Sequence, residues 1–122
     1  MSELIVPLDD FPPPDPGDPL PVVLAKDGAV ILSYVAGREL TVMASFPICH
    51  AHRFGAPDGK RSHGAFVVKD SAWAESSGPG KRKHFVFIFR DSVFECVAED
   101  VGVELIREGD DTVKLMARRL YK

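Results

Sequence analysis

Cysteine is scarce in this chain, with two in 122 residues. A disulfide framework would need more cross-links, and a chain of this length buries roughly two-thirds of its unfolded surface in one core without them. Cys49 and Cys96 are therefore read as reduced thiols, a bridge between them being the alternative, and Cys96 as a small core residue. Long apolar runs are missing too: none approaches the ~20 residues that span a bilayer, so no membrane contact is expected. The start, Met1-Ser2-Glu3-Leu4, lacks the basic and apolar stretches of a secretory signal, which points to the cytoplasm if it is the native start. Gly-rich phosphate loops of the P-loop or dinucleotide type are absent. What remains is ordinary for a soluble globular domain, 45% apolar and 27% charged.

The most informative stretch present is the run from His84 to Ala98, HFVFIFRDSVFECVA. It reads as an aromatic β-hairpin turning at Asp91-Ser92. Side chains alternate across a strand, so Phe85, Phe87, Phe89, Phe94, Cys96 and Ala98 form one apolar face that belongs in a core. A two-residue turn at Asp91-Ser92 sets Phe89 against Phe94, Phe87 against Cys96 and Phe85 against Ala98. The opposite face carries His84, Val86, Ile88, Arg90, Val93, Glu95, Val97 and Glu99, a mixture suited to a second layer, a pocket or a partner.

Around this hairpin the chain alternates short strands with turn signals. Asp9 to Pro21 holds six prolines among acids and glycine, so residues 1–21 read as an extended, acidic, Pro-rich arm and 22–122 as a single β-rich domain. Strands are expected over Val22–Ala25 and Ala29–Val35 about an Asp27-Gly28 turn, then over Leu40–Phe46, Ala65–Lys69 and Val101–Ile106. A short helical turn is expected near Trp73. Asp110 or Asp111 is placed to cap a C-terminal helix whose apolar positions are Val113, Met116, Ala117 and Leu120. The fold class is thus mainly β: a small antiparallel sheet, sandwich or barrel with one C-terminal helix.

The net charge of −3 is unevenly spread. Acids dominate from Met1 to Ala29 and from Asp91 to Asp111, whereas bases dominate from Arg53 to Arg90. Complementarity within the molecule explains this better than an external anionic partner. Lys81-Arg82-Lys83 beside aromatics would suit single-stranded nucleic acid, but the negative total and the need for phenylalanines inside argue against it. The same cluster guards an aggregation-prone hairpin, and with Arg90 and Glu95 it makes the expected binding surface.

Four histidines are the only constellation suited to metal chemistry. On a regular strand His50 and His52, two apart, leave the same face, with His63 or His84 as a third ligand to Zn or Fe and an open position left over. His84 also faces Glu99 in the expected register, an ordinary imidazole to carboxylate pair. Cys49 and His50 point to opposite faces when extended, against a thiolate to imidazole pair. The segment His63–Trp73 echoes His84–Phe94 without a gap (His, two residues, Phe, two apolar, base, Asp-Ser, apolar, aromatic), and parallel pairing would set His63 beside His84, antiparallel pairing at opposite ends.

His50-x-His52 in a small β-protein resembles the first motif of cupins, although the downstream glutamate and leading glycine of that motif are missing. The string His84–Ala98 resembles a segment of a family of uncharacterised bacterial proteins that keep a His-Phe start, an Asp-Ser turn and Phe-Glu-Cys after it. That likeness covers about an eighth of the chain and implies no activity. The expected function is a non-catalytic binding or protein-interaction module, acting on a protein partner or a second copy. The alternative is a metal-dependent, cupin-like enzyme using His50, His52 and His63 or His84.

Overall fold

The computed structural model describes residues 4–8, 11, 12, 14, 21–36, 40–56, 64–107 and 111–120, with the backbone alone at 107. These form strands β1 (Leu4–Pro7), β2 (Val22–Lys26), β3 (Ala29–Val35), β4 (Leu40–Phe46), β5 (Cys49–Gly55) and β6 (Gly64–Lys69), then helix α1 (Ala72–Ser76), strands β7 (Lys83–Ile88), β8 (Val93–Ala98) and β9 (Gly102–Arg107), and helix α2 (Thr112–Leu120). Two antiparallel sheets result, ordered β1-β6-β7-β8-β5 and β2-β3-β4-β9. They pack as an open β-sandwich, not a closed barrel.

Local chemistry explains the strand boundaries. Asp27 and Gly28 adopt φ of 51° and 82°, the left-handed pair that a two-residue hairpin requires, and close β2 onto β3 with Lys26 opposite Ala29. After β4 the chain passes through Pro47 and Ile48 to the other sheet, where β5 pairs with β8 and the Cys49 N–H donates to Gly28 O at 2.7 Å. Pro47 lacks the N–H that would continue β4 pairing.

The aromatic face turns inward as its alternation requires. Phe85, Phe87, Phe89, Phe94, Cys96 and Ala98 meet Val30, Leu32, Tyr34, Val42, Ala44 and Phe46 of the facing sheet. Phe46 is the hub, its ring 5.5 Å from Phe85, 6.1 Å from Phe87 and 6.1 Å from Phe94. The hairpin register differs from expectation. The turn is centred on Arg90-Asp91, with the Phe89 N–H donating to Ser92 O at 2.9 Å, so Phe87 faces Phe94 and Phe85 faces Cys96. Moving the turn by one residue shifts each partner by two, and an even shift keeps every side chain on its face.

The arm also departs from expectation. Residues 4–7 are a strand pairing with β6, and Phe11 is buried, its ring 5.6 Å from Phe87, while the Tyr34 hydroxyl donates to Pro12 O at 2.8 Å. One aromatic in a proline-rich run is enough to bring that segment onto the core, so the boundary at residue 21 does not separate an arm from a domain there. The β6 and β7 strands pair antiparallel, Gly64 with Ile88 and Val68 with His84, which excludes the parallel reading of the internal echo. Helix α2 covers the outer face of the second sheet through Met116, packed with Ile31, Met43 and Ile106. Asp111 accepts the Lys114 N–H at 3.1 Å as its cap, whereas Asp110 lies outside the described residues. Leu115 takes the place on the packed face expected for Val113, which is 49% exposed.

Candidate functional site

Three polar features follow from this frame. The first is a hydrogen-bonded relay on the outer face of the first sheet. Ser71, the N-cap of α1, accepts the Ala74 N–H at 3.1 Å. Its Oγ lies 2.8 Å from His84 Nδ1, and His84 Nε2 lies 2.8 Å from Glu95 Oε1. Glu95 Oε2 accepts from Arg53 Nε at 2.9 Å. In the neutral imidazole the carboxylate fixes the proton on Nε2, so Nδ1 accepts the Ser71 hydroxyl proton. Trp73 stands edge-on to His84 at 5.0 Å, and the Arg53 guanidinium lies 4.4 Å over the Trp73 ring. Burial works against ionisation of Glu95, but its hydrogen bonds from Arg53 and His84 prevail and hold the carboxyl below its ordinary range.

A serine hydroxyl directed at an imidazole that is held by a carboxylate has the connectivity of a nucleophile, base and orienting acid. Both the serine and the imidazole are buried. Ser71 is 3% exposed and His84 5%, and each ring nitrogen is engaged. The relay satisfies buried polar groups and clamps α1 to β7 and β8.

The second feature is a cleft of about 720 Å³ at the side of the sandwich between β6 and β9. Val67 and Phe85 wall it from the first sheet, Val103 from the second, with Leu8, Phe11, Val101 and Ala74 completing the apolar lining. Lys69, Asp70, Glu75, Arg82, Lys83 and Asp100 make its rim. Val103 and Leu105 lie opposite Ala44 and Val42, both fully buried, and so share their inward direction, yet are 40% and 56% exposed. On its inner side the second sheet is therefore less buried at β9 than at β4.

The third feature is a recess of about 330 Å³ lined by Cys49, His50 and His52 against the β2–β3 turn. His50 and His52 both line this recess, but not as a regular-strand pair. A bulge makes Cys49 partner Ala98 and Ala51 partner Val97, leaving His50 as the extra residue. His50 Nε2 contacts Glu99 Oε2 at 3.0 Å, the acid that the expected register assigned to His84, while the His52 ring lies 6.2 Å from Phe94. His52 is opposite Cys96, on the inward side, whereas His84 is opposite Val97, on the outward side. The sheet thus separates the two, and the set proposed for Zn or Fe does not fit one ion through His84. His63 lies outside the described residues. Among the described residues no three His, Cys, Asp or Glu side chains converge as metal ligands. Both cysteines are free thiols. Cys49 Sγ donates to Ala51 O at 3.3 Å, and contact with the Cys96 thiol lowers the Cys49 pKa while burial raises that of Cys96.

The expected binding residues divide among these features. Lys83 and Arg82 reach the cleft rim, where Arg82 Nε donates to Pro79 O at 3.1 Å and its Nη1 to Ser77 O. Glu95 belongs to the relay, Lys81 is exposed, and Arg90 is exposed at the hairpin turn, the opposite end of β7 from Lys83. Sequence reasoning passed over Lys69 and the linking role of Ser71. A serine directly before a short helical segment was the available signal for the cap, but its partner on β7 depends on strand pairing. The acid and base blocks do meet within the fold: Glu95 of the acidic block pairs with Arg53 and His84 of the basic one. No helix among the described residues is long and apolar enough to cross a membrane. In comparisons with known proteins, no family model, no curated protein and no solved structure matches this chain.

Proposed function

We propose that this domain is a non-catalytic binding module and that its ligand site is the cleft between β6 and β9. The observation that carries the reading is the 40% exposure of Val103, whose partner Ala44 on the neighbouring strand β4 shares its inward direction and is wholly buried. A volume of about 720 Å³ lies within the ~300–1,000 Å³ of small-molecule sites, and an apolar lining with a charged rim is their usual character. The relay supports the same reading, because Ser71 and Ala74 at the start of α1 belong both to the clamp and to the cleft wall. The site is held in shape from behind.

Titration with Nile red, a neutral apolar fluorophore, tests this. Saturable enhancement is expected for the parent protein and its loss in Val103→Trp, which fills the cleft from an edge position. Val113→Trp on the exposed side of α2 should bind as the parent does. Absence of saturable binding, or equal binding in all three proteins, rejects the reading.

A further inference from the structure

The two sheets contribute unequally to the charge at the cleft mouth. The β6–β7 register ends with Val68 opposite His84, so Lys69 and Lys83 are next in line on neighbouring strands. Period-two alternation gives both the direction of Val67 and Phe85, over the cleft. Like charges on adjacent positions of one sheet face repel. Among the described residues neither lysine makes an ion pair, even though three carboxylates share the rim. Asp100 is turned to the backbone of the next residue, accepting the Val101 N–H at 2.8 Å. Asp70 sits in a left-handed turn past the end of β6, φ 57°.

We infer that the cleft takes an amphipathic anion, an aliphatic chain ending in one carboxylate, with the head held between Lys69 and Lys83 and the chain lying along Val67, Phe85 and Val103. This rests on the cleft being a ligand site and adds which end of the ligand is read. An anionic head relieves the repulsion between the ammonium groups, and both can donate charge-assisted hydrogen bonds to it. The apolar walls behind them favour the burial of methylene groups.

Calorimetric titration with decanoate, decanol and decylamine separates the two levels of the claim. Decanoate is expected to bind about tenfold or more tighter than decanol, and decylamine weakest. Lys69→Gln and Lys83→Gln should each weaken decanoate about tenfold and leave decanol unchanged; both residues are exposed, so folding should be unaffected, as a thermal melt would show. Equal binding of decanoate and decanol overturns the assignment of the head while the cleft survives as an apolar site. Preference for decylamine overturns it in favour of the rim acids. Binding of none of the three overturns the cleft reading and this inference together.

Discussion

Strands β4 and β9 are neighbours in one sheet, but their inward faces fare differently. Val42 and Ala44 on β4 are wholly buried, whereas Leu105 and Val103, directly opposite them on β9, are about half exposed. Leucine and valine do not differ enough in hydrophobicity to explain this. The difference lies across the sandwich, where Phe85, Phe87 and Phe94 pack against Phe46 at the centre, while Val103 borders the cleft. Apolar side chains aimed inward at an incompletely covered edge give up burial worth roughly 25 cal/mol per Å². A ligand in the cleft would recover it at Val103.

The largest effect should come from the closed region. Phe87→Ala removes a ring that touches Phe11, Tyr34, Phe46 and Phe94, and should cost about 3–5 kcal/mol in urea unfolding. A loss below 1 kcal/mol would mean that the filled centre is not where stability resides. His84→Ala comes next. It leaves the Ser71 hydroxyl and one Glu95 oxygen without their buried partner and should cost about 2–3 kcal/mol.

Glu95→Gln sharpens this through pH. The folded pKa of Glu95 is depressed, so its carboxylate stabilises the fold above its ordinary unfolded pKa, and that contribution is lost as pH falls through the lower folded value. The stability gap between the parent and Glu95→Gln should be widest near neutral pH and shrink in acid; a gap independent of pH would contradict the relay. Asp111→Ala removes the α2 cap and should cost about 1 kcal/mol by the same unfolding assay. The smallest effect should be at the open edge, where Leu105→Ser is expected to change stability by less than about 0.5 kcal/mol. A cost like that of Phe87→Ala would show the β9 edge to be part of the core.

Much of the fold was legible because its signals are local. Asp27-Gly28 announces its hairpin through backbone conformations that few residue pairs adopt, and strict alternation of phenylalanine assigns the inner face whatever the register. Moving the turn to Arg90-Asp91 altered the partners and left that face intact. The site was less legible because its signals are non-local. A single extra residue at His50 interrupts the even spacing of the two histidines, and nothing in the residue types announces a bulge. Ser71, His84, Glu95 and Arg53 come from α1, β7, β8 and β5, and become one network only through the order of strands in the sheet. Phe11 was hidden by its proline-rich surroundings, which outweighed one aromatic in any reading by composition.

The most direct test of the open cleft is to map backbone amide and methyl chemical shifts by NMR while decanoate is titrated into the parent protein. The account predicts that shifts concentrate at Val67, Lys69, Lys83, Phe85 and Val103, with little change at the hairpin turn around Arg90. Shifts clustered instead on the His50–His52 recess, or spread evenly across the molecule, would contradict it.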